Sequence, residues 1–517
     1  MSSRNLQSGL RALEQGQSTT AIDIFIKALR NDPDNPGLLH RLGQGLVIHG
    51  EPDAARQVWR RAVTVDPTCQ PALLALSRAM RETCDWKDLD AIDNAIDAVT
   101  AKVLAAGRCP LENPFTNMLR RDDPLRNRAI AEAWAAMHAR GTTALPAPSR
   151  PARGHKLRIG YICGQWYSHP VMQTMGFVMA AHDRDRFEIV GFDCGPAHDD
   201  PFRRRAVAAV DRYVPLDRRK PMAAARRIRH ERIDILIDLT GHSEASPLPI
   251  LAHRPAPLQL SYLGFIGTTG APYVDGLITD PVLAVPGQDE FFYSEPLSRL
   301  PGTFLATGPA PEARHVPTDR AAQGLPQDAF VLASFNHSRK LHPIIFDLWL
   351  EILDELPQTV LWLHGEKDAF GRLRQRAKAA GIDPSRLVMA PMVNYFHHIA
   401  RIGLADLALD TFPYTGGATS AILLRSGVPV VTLAGQHAGS RMSASLLHSL
   451  GLGELVTRDR EACKARIRQA VRDPGWLGHI RQCLVATGAQ KGILHHPDRL
   501  ARQLEQVFTD GLKAMAA

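Results

Sequence analysis

The first feature of the chain is a pattern of small and apolar positions that returns after 34 residues. Seven positions match at this offset, namely Gly9 with Gly43, Gly16 with Gly50, Ala21 with Ala55, Phe25 with Trp59, Ala28 with Ala62, Asp32 with Asp66 and Pro33 with Pro67. Each unit predicts two antiparallel helices, which the small residues allow to pack closely and which the proline ends. This period and this order of residues are typical of tetratricopeptide repeats.

A third copy of the pattern begins near Gln70 and fades after Ser77, which stands where the first two copies have glycine. Terminal units of a repeat array are commonly atypical because they cap the stack. We therefore expect residues 1–82 to form two tetratricopeptide repeats and a degenerate cap. Residues 83–150 predict a helical connector and a linker, since the stretch 142–156 is rich in proline and has no periodicity.

From residue 157 onward short apolar runs alternate with helical segments, which predicts parallel α/β sheets. Strands are expected at 157–162, 187–192, 233–238 and 258–263, and in a second set at 330–335, 360–364, 387–389, 404–410 and 428–432. The two sets indicate an N-terminal Rossmann-like lobe at 151–315 and a C-terminal one at 316–517, with 281–326 carrying the crossover. Ligands of such sheets bind beyond the carboxyl ends of the strands, so we expect the active site between the lobes.

Composition narrows the class of protein. The chain has 517 residues, of which 45% are hydrophobic and 22% charged, as in a globular protein. The sequence has neither an apolar run long enough to cross a membrane nor a secretory leader, so the expected location is the cytoplasm. The seven cysteines show no CxxC spacing, which argues against a zinc site and a disulfide framework.

The net charge of +8 comes mostly from arginines on predicted helices, densest at 203–205, 218–220 and 226–227. No aromatic residues are interleaved with them. Solvated helix faces are therefore favoured over a surface for an anionic partner, and nucleic-acid binding is not expected.

The most informative segment follows the predicted strand that ends at Asp410. Gly416 and Gly417 allow backbone N–H groups to approach a ligand closely, and Thr419 and Ser420 are expected to cap the helix that follows. A helix N-terminus presents free N–H groups and favours an anion, here a diphosphate. The alternative is an ordinary β-loop-α turn, in which the glycines only permit the backbone conformation.

Further candidates follow other strands. His169 lies in a strand-end loop, where an imidazole can accept a proton, donate a hydrogen bond or simply cap the next helix. The loop 263–270 contains three glycines and two threonines, which can bring amides to a polar ligand or form a plain turn. Lys340 is suited to neutralise a departing phosphate, and His398 to hydrogen-bond one or to cap a helix.

Signatures of other enzyme classes are missing from the sequence. It has no HExxH, no Walker A lysine motif, no Ser/His/Asp order and no paired-carboxylate pattern. The absence of GxGxxG disfavours nicotinamide and flavin cofactors.

Together the motifs resemble those of the O-GlcNAc transferase/SPINDLY family, glycosyltransferase family 41, in its bacterial branch with tetratricopeptides. The resemblance covers nearly the whole chain and is carried by the repeats and, in order, by Cys84-Asp-Trp86, Gly160-Tyr161, Ser168-His169-Pro170, Arg254-Pro-Ala-Pro-Leu-Gln259, Leu263-Gly264, Gly267-Thr-Thr-Gly270, Tyr293-Ser-Glu295, Ser334-Phe-Asn336, Lys340, Leu409-Asp-Thr-Phe-Pro-Tyr414 and Ser440-Arg441. It implies a GT-B fold, no metal and no cofactor. It also implies inverting transfer of a GlcNAc-type sugar from a nucleotide-sugar, a UDP-sugar rather than a CMP-sugar, to Ser or Thr of a protein.

The resemblance also assigns roles to individual residues. His169 matches the family's histidine near the acceptor and sugar, Lys340 the lysine that binds the diphosphate, and His398 the histidine near the donor; these three are expected to be catalytic. The donor-binding positions that it implies are Leu263, Gly264, Thr268, His337, Lys340, Tyr395, His398, Gly416, Gly417, Ala418, Thr419 and Ser420. The repeats are expected to hold the protein acceptor, without membrane insertion, and a homo-oligomer is left open.

Four positions depart from the family pattern. Ala418 stands where threonine is usual, Ile422 where an aspartate holds the ribose hydroxyls, Arg425 where tryptophan is usual and His337 where glutamine is usual. Isoleucine cannot accept a hydrogen bond from ribose. A second hypothesis therefore changes the donor, with a nonulosonic acid moved from a CMP-sugar to flagellin or another surface protein. A third is a non-catalytic scaffold that binds partners through its repeats.

Overall fold

The computed structural model describes residues 3–146, 156–308, 318–490 and 493–516. Most of the predicted linker, and the predicted lobe boundary between residues 315 and 316, lie outside these ranges. Within them, no helix combines the length and the apolar character needed to cross a membrane.

Eight helices precede the first strand, and the first six pack against one another in sequence order. They are α1 (Ser3–Glu14), α2 (Ser18–Leu29), α3 (Pro36–His49), α4 (Pro52–Val65), α5 (Gln70–Glu82), α6 (Leu89–Ala105), α7 (Pro114–Arg120) and α8 (Pro124–Ala139). Five of the eight carry proline at the first turn, where the missing N–H costs nothing.

The 34-residue period has a packing reason. A Cβ atom at Gly43 of α3 would lie 2.2 Å from the Trp59 indole of α4, and one at Gly9 would lie 2.8 Å from the Phe25 ring. Only glycine lets each helix pair approach this closely, because a packed interior has no room for a further methyl group. The small and aromatic positions of the repeat are therefore contact partners.

The third helix pair, α5 and α6, has a buried ion network at the position where the first two pairs have an aromatic residue. Asp93 of α6 occupies the position of Phe25 and Trp59, is fully buried, and accepts hydrogen bonds from Ser77 and from the guanidinium groups of Arg81 and Arg120. A buried carboxylate is tolerated only with such partners. The apolar pattern fades after Ser77 because an ion network here joins the repeats to α7.

The N-terminal lobe contains a seven-stranded parallel sheet with the order β3-β2-β1-β4-β5-β6-β7. Its strands are β1 (Leu157–Cys163), β2 (Phe187–Asp193), β3 (Arg212–Pro215), β4 (Ile235–Asp238), β5 (Leu258–Tyr262), β6 (Gly276–Thr279) and β7 (Leu297–Arg299). Its helices are α9 (Pro170–Ala180), α10 (Pro201–Ala208), α11 (Pro221–His230) and α12 (Leu248–Leu251). In the centre of the sheet Ile159 pairs with Ile189 and Ile235, and all three are fully buried, as expected of a sheet covered on both faces.

The C-terminal lobe repeats this topology with six parallel strands in the order β10-β9-β8-β11-β12-β13. They are β8 (Phe330–Ser334), β9 (Thr359–His364), β10 (Leu387–Ala390), β11 (Leu407–Leu409), β12 (Val430–Leu433) and β13 (Val456–Thr457). The helices that follow are α13 (Pro343–Glu355), α14 (Lys367–Ala379), α15 (Tyr395–Ile402), α16 (Ala418–Arg425), α17 (Met442–Ser449), α18 (Arg460–Arg472), α19 (Pro474–Gln490) and α20 (Pro497–Ala516).

The last helix departs from the predicted division into 151–315 and 316–517. Although α20 lies at the end of the C-terminal segment, it packs against α9 of the N-terminal lobe. Glu505 accepts from the ring of His182 at 2.9 Å, and the other ring nitrogen of His182 lies 2.7 Å from the Tyr161 hydroxyl of β1. The side chains of this chain of contacts are buried, so the core of the N-terminal lobe includes the last helix.

The two lobes meet along the segment that leaves β7. Thr307 donates to the Leu494 carbonyl through its N–H at 2.6 Å and through its hydroxyl at 2.9 Å. Thr303 and Ser445 bring their hydroxyl oxygens within 2.7 Å of each other. Thr307, in the segment that leaves the N-terminal lobe, and Leu494, shortly before α20, are therefore direct neighbours.

Candidate functional site

In both sheets the direction of strand order reverses between the first and the fourth strand. The loops after β1 and β4, and those after β8 and β11, diverge there and leave a crevice at the carboxyl edge, which is where open α/β sheets bind ligands. The predicted site residues all follow strands that end at these two edges, so the topology groups them in two sets, one on each lobe.

Lys340 comes from the loop after β8, at the end of a 3-10 turn formed by Ser338–Lys340. Its ammonium donates to Asn336 Oδ1 at 3.2 Å and to the Thr415 carbonyl at 3.0 Å, and it lies 5.0 Å from the centre of the Tyr414 ring. An ammonium has three N–H bonds. Partners within the described residues use two of them, so one N–H is left for a ligand. Burial lowers the pKa of Lys340 to about 8, against the opposing effect of the Asp410 carboxylate.

Asp410 organises the loop that faces Lys340. Its buried carboxylate accepts from the N–H of Gly416 at 2.8 Å, from Asn336 Nδ2 at 3.3 Å and from the Thr432 hydroxyl at 2.8 Å. Burial raises the pKa of this carboxyl. The N–H of Gly416 therefore binds the Asp410 carboxylate and is not available to a ligand, contrary to the expectation from the sequence. Amide contacts with a ligand are left to the residues that follow Gly416.

The helix α16 begins at Ala418, with Gly417 as its N-cap and no side-chain cap. The expected capping by Thr419 and Ser420 is therefore wrong, because both lie inside the first turn; the Ser420 hydroxyl instead accepts from Ser443 at 2.8 Å. The N–H groups of residues 417–420 make no hydrogen bond within the described residues. They form the anion-favouring end of the helix, directly after the carbonyl of Thr415 that Lys340 contacts.

His398 and Tyr395 come from α15, which follows β10. The His398 ring meets Phe335 edge-on at 5.1 Å, and its Nδ1 accepts from Nε of Arg401 at 3.3 Å. With Nδ1 occupied, the neutral ring carries its proton on Nε2 and can donate it to an anionic oxygen. Burial and the Arg401 charge lower the pKa of His398 to about 4. The Tyr395 ring contacts Phe202 of the other lobe at 5.0 Å.

Arg401 is a residue that the sequence analysis missed. It is 2% exposed, yet its Nη1 has no hydrogen-bond partner within the described part of the chain. A buried cation without full compensation is costly unless a ligand completes it. Its position three residues after His398, on the same helix face, was the signal available in the sequence.

Three of the four departures from the family pattern have a structural setting. Ile422 packs against the hydrophobic core, and Arg425 donates to the Gly308 carbonyl at 2.9 Å at the lobe junction. His337 is exposed and accepts from the N–H of Arg339 at 3.2 Å, which starts the turn that carries Lys340. The structure gives no reason for alanine at 418.

On the N-terminal lobe, His169 is the N-cap of α9. Its Nδ1 accepts from the N–H of Val171 at 3.3 Å, so the neutral ring carries its proton on Nε2. Burial, aided by the Arg339 guanidinium, lowers the pKa of His169 to about 4. The ring therefore caps the helix and can donate a hydrogen bond at neutral pH, whereas accepting a proton at Nδ1 would break the cap.

The loop after β5 holds the remaining predicted positions. Leu263 has a left-handed backbone (φ 72°), and a Cβ atom at Gly264 would lie 1.9 Å from the Leu239 carbonyl, so this loop lies tightly against the loop after β4. The Thr268 hydroxyl donates to Glu295 at 2.6 Å within the lobe. A donor-binding role for Thr268 stays a prediction, since its donor capacity is already used.

The family of the chain follows from comparison with known proteins. The sequence pattern of glycosyl transferase family 41 matches residues 83–308 and 305–493. The chain belongs to this family. The GT-B fold expected from the resemblance is confirmed by the two Rossmann-like lobes and by a solved structure of a mutant O-GlcNAc transferase from Thermobaculum terrenum, which matches with a TM-score of 0.79, 28% identity and full coverage of both chains.

Relatives of this family 41 chain include plant and animal proteins. The "Probable UDP-N-acetylglucosamine--peptide N-acetylglucosaminyltransferase SEC" of Arabidopsis thaliana is 31% identical over 395 residues, which cover 73% of this chain and 40% of the relative. A SPINDLY protein of Solanum lycopersicum is 30% identical over 70% of this chain and 39% of its own length. The chain thus spans about two fifths of the length of these relatives.

In the described ranges no group of three His, Cys, Asp or Glu side chains is arranged to hold a metal ion. Positive charge in the loops after β8 and β11 comes from Lys340, from its neighbour Arg339 and from the N-terminal end of α16.

Proposed function

We propose that the protein is an inverting protein O-glycosyltransferase that moves a GlcNAc-type sugar from a UDP-sugar to Ser or Thr of a protein. One observation carries the proposal. Within the described residues, Lys340 contacts the Thr415 carbonyl and keeps one N–H unused, and the amides of residues 417–420, which follow closely in the same loop, are unused as well. This arrangement suits the phosphates of a nucleotide-sugar, and we assign the acceptor side to His169, the N-cap of α9 in the other lobe.

The chemistry follows from this arrangement. The hydroxyl oxygen of the acceptor attacks the anomeric carbon from the side of His169, and the bond from that carbon to the phosphate oxygen breaks. The phosphate takes the electron pair, and Lys340 with the α16 amides stabilises the new charge, which is electrostatic catalysis by preorganised donors. His398 donates through Nε2 to a phosphate oxygen. His169 orients the acceptor through its Nε2 proton. The proton of the attacking hydroxyl passes to solvent water as the new bond to the sugar forms, and the nucleoside diphosphate leaves as the anion.

The donor is the finer part of the proposal. A lysine and several free amides match the two phosphates of a UDP-sugar better than the single phosphate of a CMP-sugar. Ile422 favours the second candidate, a CMP-activated nonulosonic acid, because its packing against the core leaves no acceptor for ribose hydroxyls at this position. Arg401, with its unpartnered Nη1, is the residue we assign to the nucleotide.

The acceptor is proposed to be a protein that docks on the helices α1 to α6. Their 34-residue period and glycine packing support tetratricopeptide repeats, and stacked repeats present extended concave surfaces for partners.

The test is a mass shift. Purified protein is incubated with candidate acceptors and either UDP-GlcNAc or a CMP-nonulosonate, and intact acceptors are weighed. Transfer from UDP-GlcNAc that is lost in Lys340→Ala, while the variant still binds the acceptor, supports the proposal. Transfer only from the CMP-sugar replaces the donor by the alternative. Acceptor binding without transfer from any donor supports a scaffold and overturns the enzyme.

A further inference from the structure

The turn that carries Lys340 is in direct contact with the end of the helical repeats. The Ser338 hydroxyl donates to the backbone carbonyl of Glu82 at 2.8 Å, and Glu82 is the last residue of α5. Ser338 is 6% exposed, so this bond is shielded from water. It joins residues that are 256 positions apart in the sequence.

The neighbouring residues hold the repeat end against the C-terminal lobe. Arg372 of α14 donates to the Thr83 carbonyl at 3.2 Å and to Asp53 of α4 at 3.2 Å. The Trp86 ring meets Phe346 of α13 at 5.5 Å. The segment between α5 and α6 is therefore docked at several points, and Ser338 is the contact that reaches the lysine turn.

A second route leads from the connector to the same lysine. Phe115 of α7 lies between Arg339, 5.7 Å from its ring centre, and Tyr414, whose ring it meets edge-on at 5.5 Å. Tyr414 in turn lies under the Lys340 ammonium. Both flanks of Lys340 are thus supported by residues that precede the two lobes in the sequence.

We infer that Ser338 is a positioning residue, through which the C-terminal end of α5 fixes the turn that aims Lys340 at the donor phosphates. The inference rests on the proposed function for its purpose, and on the Ser338–Glu82 contact for its geometry. Three hydrogen bonds lie inside the turn: Arg339 N–H donates to the His337 ring, Lys340 N–H to the His337 carbonyl and Leu341 N–H to the Ser338 carbonyl. None of the three ties the turn to the helical repeats, which the Ser338–Glu82 bond does. The helical repeats therefore complete the donor site as well as receiving the acceptor.

The deciding measurement needs neither donor nor acceptor. Competitive acetylation of Lys340, followed by mass spectrometry across pH, reports the pKa of its amine, which burial sets against the effects of Asp410 and Arg339. In the full-length Ser338→Ala variant a loosened turn admits water, so we expect the pKa to rise by about one unit from its present value toward that of a free lysine. UDP affinity should fall roughly fivefold, the effect of one weakened hydrogen bond between a displaced Lys340 and a phosphate.

The controls separate this role from general stability. Ser449→Ala removes a comparable bond from a hydroxyl to a carbonyl, 2.7 Å long and local to α17, and should leave the amine unchanged. Ser338→Cys, which is close to serine in size but a poor donor, decides the matter if the alanine variant does not fold. A pKa of Lys340 in both Ser338 variants equal to that in Ser449→Ala overturns the inference. A wild type without sugar transfer would instead overturn the proposed function and leave this measurement valid.

Discussion

The lowered pKa of Lys340 predicts that donor use fails at alkaline pH. The lysine must carry its charge to hold a phosphate, and its pKa of about 8 lies within the range in which enzymes are assayed. From that value, about nine tenths of the amines are charged at pH 7, about half at pH 8 and about a tenth at pH 9. We expect kcat/KM for the donor to lose roughly tenfold per pH unit above its midpoint near 8, because this parameter reports the free enzyme.

The assay is initial-rate kinetics with UDP-GlcNAc at fixed acceptor concentration, in buffers of constant ionic strength. The profile of kcat should break at higher pH, since a bound diphosphate favours the charged amine. In Lys340→Arg, a guanidinium that stays charged should remove the alkaline break even though its shape lowers the rate. If the kcat/KM of the wild type stays level to about pH 9, or Lys340→Arg keeps the same break, the assignment of Lys340 to the donor is refuted.

Three further outcomes are expected. His169→Asn should keep the helix cap and the melting temperature but lower kcat roughly 100-fold. His169→Ala should lower kcat and also reduce the free energy of unfolding by about 1 kcal/mol, because the cap is lost. Equal activity in the asparagine variant and the wild type would contradict the role of His169 Nε2 as a hydrogen-bond donor. Gly43→Ala should destabilise the repeats by about 1–3 kcal/mol through its clash with Trp59, while Gly478→Ala, with open space around it, should not destabilise; thermal unfolding distinguishes the two. Asp122, between α7 and α8, accepts hydrogen bonds from two N–H groups and one hydroxyl of the loop after β12. Asp122→Ala should therefore lower the free energy of unfolding by about 2 kcal/mol. An unchanged midpoint in chemical denaturation would reject this prediction.

Much of the fold could be read from the pattern of the chain. The nine predicted strands are all present, with ends displaced by up to three residues, because a strand buried on both faces needs a continuous apolar run. The strands β3, β6, β7 and β13 were not predicted, because no more than two apolar residues are consecutive within the bounds of each. The location of α20 could not be predicted either, because its partners are distant in sequence.

The candidate site was predictable where one residue type at a strand end implied its chemistry. Lys340 and the glycine turn were proposed in this way, and their contact with a donor stays a prediction. The use of the Gly416 N–H by Asp410 could not be, because it depends on the depth at which the carboxylate is buried. Arg401 was missed because an arginine on a short helix reads as solvated until its burial is known. A capping role for His169 was one of the alternatives given by the sequence. The structure adds that Nδ1 accepts the hydrogen bond, so the neutral ring carries its proton on Nε2.

The packing of α20 on the first lobe has a consequence for biosynthesis. During translation residues 157–299 emerge early, but the surface around His182 waits for Glu505, which is made more than 300 residues later. Until then the seven-stranded sheet lacks α20, whose Leu504 and Phe508 are fully buried in the folded protein. Apolar surface left uncovered in this way makes nascent chains aggregate or recruit chaperones. The N-terminal lobe is therefore synthesised first, but its core is completed last, when α20 packs on it.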